Sequence, residues 1–152
     1  MAFVSWLFSD PLAAGTVAPE FTLADEQGRT VTLSALRGRE VLLVWYPGDD
    51  TMICTKQLCE IRDSWGAFKG MAVYGVNAQG AGSHQKFVAK YDFPFPLLLD
   101  PGQAVGKLYH THGFIVKRTV YLIGADGVIR YGKRGKPSVE EILTHRQGGH
   151  GG

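Results

Sequence analysis

Cysteine is scarce in this 152-residue chain, which contains two, Cys54 and Cys59. A structural zinc site needs closely spaced pairs such as C-x2-C completed by two further ligands, and a single C-x4-C pair does not supply that. His84, His110, His112, His145 and His150 do not repair the deficit: His110 and His112 flank a loop-like Thr111, and the last two lie near a glycine-rich end, so no metal site is expected. Excess charge is lacking too. A formal net charge of +2 argues against a dedicated nucleic-acid binder. The basic residues at Lys117-Arg118, Arg130, Lys133-Arg134 and Lys136 are spread over an expected hairpin with no aromatic platform between them. No window approaches the roughly 18 apolar residues of a membrane span. The first ten residues lack a basic start and a cleavage site, so they are expected to be retained rather than removed as a secretory signal.

What is present is ordinary for a globular protein: 45% hydrophobic and 20% charged residues, in a length that suits one compact domain. There is no internal repeat or interdomain linker. We expect an N-terminal extension over residues 1–14, one domain over 15–146 and a disordered glycine-rich tail over 147–152. Phe3, Trp6 and Phe8 in the extension are expected to pack over the body of the domain; an oligomer contact or a membrane-surface anchor is the sharper alternative. Two cysteines without a signal peptide suit a reducing compartment, by default the cytoplasm, where a disulfide is transient and catalytic.

Along the chain, Phe21-Thr22-Leu23 and Thr30-Val31-Thr32-Leu33 alternate around Glu26-Gln27-Gly28 as a hairpin does. Ser34 is a candidate cap for a short turn that Gly38 ends. The unbroken apolar run 41–46 reads as a strand covered on both faces. A helix is expected from Thr51 to Phe68, then a buried strand over 72–77, a helix capped by Ser83 and running to Tyr91, an extended stretch at 96–100 and a short helix at 103–109. The strongest hairpin signal joins 118–123 to 128–131 across Ala125-Asp126-Gly127, and Ser138 caps a last helix reaching His145. Strands alternating with helices between two hairpins describe an α/β fold with a mixed sheet.

Cys54 falls between the 41–46 strand and the expected helix, after a Pro47-Gly48-Asp49-Asp50 turn, and so in the first turn of that helix. Only a thiolate is nucleophilic, and an ordinary thiol is about 3% ionised at neutral pH. Bringing a thiol to a pKa of about 6 takes about 3.4 kcal/mol, whereas a helix N-terminus typically contributes about 0.3–1 kcal/mol. A cation is therefore required as well. Thr51, three residues earlier, adds a hydroxyl at the same helix end. Cys59 raises a geometric problem, because positions i and i+5 of an intact helix lie about 8.6 Å apart, beyond the roughly 7 Å that a disulfide tolerates. A pair that bonds must unwind the helix, which reads as a catalytic couple with two conformations. Two simply buried cysteines are the plainer alternative.

The runs Ala18-Pro19-Glu20-Phe21-Thr22-Leu23 and Leu33-Ser34-Ala35-Leu36-Arg37-Gly38, with Pro47, Thr51 and Cys54 in a P-x3-T-x2-C pattern, resemble a peroxiredoxin. Cys59, in Cys54-Thr55-Lys56-Gln57-Leu58-Cys59, is similar to the second cysteine of the PrxQ (bacterioferritin comigratory protein) group. The resemblance implies a thioredoxin-like fold with a central mixed sheet flanked by helices and an N-terminal β-hairpin. It also implies reduction of hydrogen peroxide or organic hydroperoxides, with Cys54 as peroxidatic and Cys59 as resolving cysteine, no cofactor, and a thioredoxin-like dithiol as reductant. Arg118 matches the family's active-site arginine and would be the required cation. Pro47, Met52 and Ile53 would line the pocket. Where many members have Pro-Gly between the threonine and the cysteine, this chain has Met52-Ile53, which suggests a bulkier, more apolar pocket mouth. An intramolecular partner for Cys54 removes the need for a dimer in resolution, so a monomer is expected. The rivals are a thioredoxin-like disulfide reductase, which would want C-x-x-C, and a redox-inert binding domain.

Overall fold

The computed structural model describes residues 10–146. The expectations for Phe3, Trp6, Phe8 and the 147–152 tail lie outside the described residues. Val41–Trp45, here β3, is the third strand in chain order and is wholly buried. It lies at the centre of a five-stranded sheet, so both its faces are covered and apolar residues fill both. Its alternate side chains divide the interior into two cores. Leu42 and Val44 pack with Cys54, Leu58 and Ile61 on one side; Val41, Leu43 and Trp45 pack with Tyr109 and Tyr121 on the other.

The sheet runs β5-β4-β3-β6-β7, with β4 at Ala72–Asn77, β5 at Leu97–Leu99, β6 at Thr119–Ile123 and β7 at Ile129–Arg134. β3, β4 and β5 are parallel neighbours; β6 and β7 are antiparallel, which makes the sheet mixed as expected. Gly75 in β4 allows a close approach: a Cβ there would sit 2.7 Å from Leu97 and 3.0 Å from Tyr46. The expected N-terminal hairpin is present as β1 (Thr22–Ala24) and β2 (Thr30–Thr32). It covers the β5 edge through Asp25, bridged to Leu98, and through Glu26, whose carboxylate accepts from Leu97 N–H at 3.0 Å. That protects a strand edge which would otherwise be open to pairing.

Four α-helices complete the described fold: α1 at Met52–Asp63, α2 at Ala81–Tyr91, α3 at Ala104–Leu108 and α4 at Val139–Leu143. The cysteine helix is shorter than expected. It ends at Asp63, and residues Trp65–Phe68 form a separate 3-10 turn. Asp63, Ser64 and Gly66 are poor helix continuers, and the break lets Trp65 pack on Phe95 with ring centroids 5.7 Å apart. Ser83 does not cap α2, which starts at Ala81 after Gly80; its hydroxyl donates instead to Asp49, 2.6 Å away. A carboxylate is the stronger acceptor. Ser138 does cap α4, accepting from Glu141 N–H at 3.0 Å. That helix ends at Leu143 rather than His145, because His145 turns to stack on Tyr131.

Candidate active site

The site forms where the chain leaves the centre of the sheet. Trp45 pairs with Thr119, so Arg118 stands one residue beyond β6, beside Tyr46 and the loop that leads into α1. Parallel β3 and the helix that follows it aim the N-terminus of α1 at the same place. Cys54 is the third residue of α1 and is fully buried. Arg118 Nη2 lies 3.2 Å from its Sγ. The guanidinium is braced from the other side by Gln57, whose Oε1 accepts from Arg118 Nη1 at 2.8 Å. Gln57 and Cys54 are three residues apart and share a helix face, so the fork of one arginine spans both.

Thr51 occupies the N-cap position with extended backbone, but its hydroxyl donates back to Gly48 C=O at 3.1 Å and makes no cap bond. The first amides of α1 have no partner within the helix and no side-chain cap from Thr51. Met52 is 85% and Ile53 48% exposed, directly before the buried thiol; Pro47 is half-buried. Cys59 is also a free thiol, partly buried against the core at the end of the intact i, i+5 spacing. Burial pushes its pKa up and outweighs the opposing effect of Arg62, with a smaller upward contribution from Asp63. The structure thus gathers Pro47, Thr51, Met52, Ile53, Cys54 and Arg118 at one end of α1, with Cys59 on a different face.

Beneath the loop lies a polar network that the sequence reading did not identify. Asp49 accepts from Tyr46 Oη at 2.6 Å, Asn77 Nδ2 at 3.2 Å and Ser83 Oγ at 2.6 Å. His84 Nδ1 lies 2.6 Å from the same carboxylate, and His84 Nε2 lies 2.9 Å from Leu98 C=O. The buried His84 ring thus links the loop carboxylate of Asp49 to the backbone of β5. Burial alone would raise the Asp49 pKa; hydrogen bonds from His84, Ser83 and Tyr46 outweigh it and hold the carboxyl below its ordinary value. Asp50 adopts φ 57° and is held by Lys90 and Tyr91, each at 2.7 Å. In sequence Asp49 and Asp50 read only as turn residues. The i+3 spacing puts Gln57 on the Cys54 face of α1, but the Arg118 contact that gives it a role is tertiary.

This architecture, in which the helix after the central strand delivers a buried thiol to an arginine just before the neighbouring strand, is that of the thioredoxin-fold peroxiredoxins. The AhpC/TSA family profile matches residues 14–132. The chain is 36% identical over 133 residues to a putative peroxiredoxin bcp of Coxiella burnetii, covering 78% of this chain and 85% of that protein. It is 41% identical over 126 residues to the chloroplastic peroxiredoxin Q of Oryza sativa subsp. japonica, covering 79% of this chain and 58% of that one. The chain therefore spans somewhat over half the length of these plant relatives. Among solved structures, peroxidoxin BcpB of Mycobacterium tuberculosis superposes with TM-score 0.82 at 26% identity, over 88% of this chain and 96% of the other. The chain belongs to the AhpC/TSA family and, within it, to the peroxiredoxin Q/Bcp group. Among the described residues no helix is long and apolar enough to cross a membrane.

Proposed function

We propose that this chain is a thiol-dependent peroxidase that reduces hydrogen peroxide and organic hydroperoxides through Cys54. The observation that carries the reading is the Arg118 guanidinium 3.2 Å from a fully buried cysteine sulfur at a helix N-terminus. An inert core cysteine needs no cation, whereas a nucleophilic one does. The Cys54 thiolate attacks one peroxide oxygen; the O–O bond breaks as the S–O bond forms, and the departing oxygen takes up a proton to leave as water or an alcohol. Arg118, the Thr51 hydroxyl and the first amides of α1 hold the peroxide and stabilise the charge developing on that oxygen. Cys54 is then a sulfenic acid. Cys59 condenses with it to a disulfide, water is lost, and thioredoxin or a similar dithiol restores both thiols. The cycle uses no metal or organic cofactor.

The exposed Met52 and Ile53 give the pocket mouth an apolar lip, which favours bulky apolar hydroperoxides. Comparing rates with cumene hydroperoxide and hydrogen peroxide tests this, and a strong preference for hydrogen peroxide would count against it. Because both thiols lie on one helix, resolution needs no second chain, and we assign the working unit as a monomer in a reducing compartment such as the cytoplasm; sedimentation of the reduced protein checks the first point. The main test is peroxide-dependent oxidation of NADPH coupled through thioredoxin. Cys54→Ser abolishes it, Cys59→Ser halts after one turnover at the sulfenic acid, and peroxide alone removes two hydrogens from the intact monomer mass. Undiminished peroxide consumption by Cys54→Ser would overturn the reading.

A further inference from the structure

One residue outside the reacting set holds both ends of the cysteine helix. Tyr91, the last residue of α2, donates its hydroxyl to Asp50, just before α1, at 2.7 Å. Its backbone carbonyl accepts from Arg62 Nη1, at the far end of α1, at 2.6 Å. Lys90 adds a second bond to Asp50, and His84 of the same helix pairs with Asp49. Among the described residues, the side-chain hydrogen bonds of the segment between these points are Thr51 to Gly48 C=O, Arg118 to Cys54 and Gln57, and Lys136 to Glu60 at 2.6 Å, and Leu58 and Ile61 pack in the core.

The spacing lets the helix open without releasing either anchor. Asp50 and Arg62 are twelve residues apart, a helical span of about 18 Å, whereas an unwound chain of that length reaches about 40 Å. Cys54 is four residues from Asp50 and Cys59 three from Arg62, so the two tethers extend about 13 Å and 10 Å. Together they exceed the span, and the thiols can approach to the roughly 7 Å between Cα atoms that a disulfide requires. We propose that α2 is a fixed frame for the resolving step: α1 opens between Asp50 and Arg62 while both remain bound to α2, with Tyr91 and Arg62 as positioning residues. The proposal rests on the Cys54–Cys59 disulfide of the preceding reading. In that step the Cys59 sulfur attacks the Cys54 sulfenic sulfur, the S–O bond breaks, the Cys59 proton leaves with the oxygen as water, and no further oxidant is needed. With its ends held, the opened segment is a short closed loop that loses little entropy when it refolds after reduction.

Hydrogen exchange of the full chain, reduced and peroxide-oxidised, with the intact mass measured in parallel, tests this. Amides of residues 52–61 lose protection in the oxidised form, while 47–50 and 81–91 keep theirs. Arg62→Gln carries the opening past Asp63 and leaves the upstream boundary and the rate of sulfenic-acid formation unchanged; a global loss of stability would raise exchange everywhere. Tyr91→Phe, which keeps the ring, moves the upstream boundary to include Asp50. Opening of 47–50 or 81–91 in the unaltered chain, or boundaries that neither variant moves, would overturn the frame while leaving the peroxidase reading intact. Absence of the disulfide mass would overturn the frame together with the Cys59 resolving step on which it rests.

Discussion

Arg118 and Gln57 both bear on Cys54, one directly and one by bracing the other. Arg118 presents two N–H groups of one planar fork, one to Cys54 and one to Gln57. A hydrogen bond to a charged group contributes about 1.5–3 kcal/mol, so Arg118→Ala should slow the reaction of Cys54 with peroxide by about 10- to 100-fold. Arg118→Lys keeps the charge but not the fork and should recover only part of that loss. Stopped-flow measurement of thiol oxidation gives both numbers, and a rate for the alanine variant within about twofold of the parent would remove Arg118 from the mechanism. Gln57→Leu deletes the brace, and about a tenfold loss in the same rate is expected from one charge-assisted bond. Yet Gln57 Nε2 is buried with no partner among the described residues, so Gln57→Leu removes an unpaired donor, which offsets part of the cost of taking the acceptor from Arg118. Reactivity that falls while the unfolding midpoint holds would separate a positioning role from a packing one. Arg118 was legible from the peroxiredoxin-like pattern, whereas Gln57 was not singled out, because a glutamine on a helix acquires meaning only from what faces it.

At the level of the element, α1 has to be stable enough to hold Cys54 against Arg118 and weak enough to release Cys59. Its sequence helps on the second count, since the helix stops at Asp63 and is capped by no side chain at Thr51. Burial raises the Cys59 pKa in the folded helix above the value it takes once the segment opens. The folded helix is therefore favoured below the ordinary thiol pKa, and that preference is lost as pH rises through the folded value. Disulfide formation after a peroxide pulse should accelerate as pH is raised from about 7 to about 9, beyond any change in the sulfenic step. A resolution rate independent of pH over that interval would show that Cys59 does not gain reactivity on opening. The C-x4-C spacing made the need for opening visible in advance. The break at Ser64 was only hinted at by the weak helix formers Asp63, Ser64 and Gly66, and the packing of Trp65 on Phe95 that accompanies it is a contact made across the fold.

Across the whole molecule, the buried Asp49–His84 contact joins the loop before α1 to β4, β5 and α2, and stability should follow the ionisation of Asp49. Asp49 is held below its ordinary pKa in the folded state. Its contribution is fully present above the unfolded carboxylate value and disappears as pH falls through the folded one. The thermal midpoint should therefore drop as pH is lowered below about 4, and Asp49→Asn should flatten that part of the curve while costing about 1–3 kcal/mol at neutral pH by weakening the acceptor that Tyr46, Ser83 and His84 share. An Asp49→Asn curve as acid-sensitive as the parent's would place the acid transition elsewhere. The sequence by itself determined the order of strands and helices, the two hairpins and the presence of a cysteine at a helix start, because periodicity, turn residues and caps act over a few neighbouring residues. Tertiary structure alone decided that Arg118 reaches across from β6 to Cys54, 64 residues away, that His84 meets Asp49, and that one tyrosine of α2 holds both ends of α1. Such contacts depend on which strands become neighbours in the sheet, and that is settled by burying both faces of β3 rather than by any local pattern.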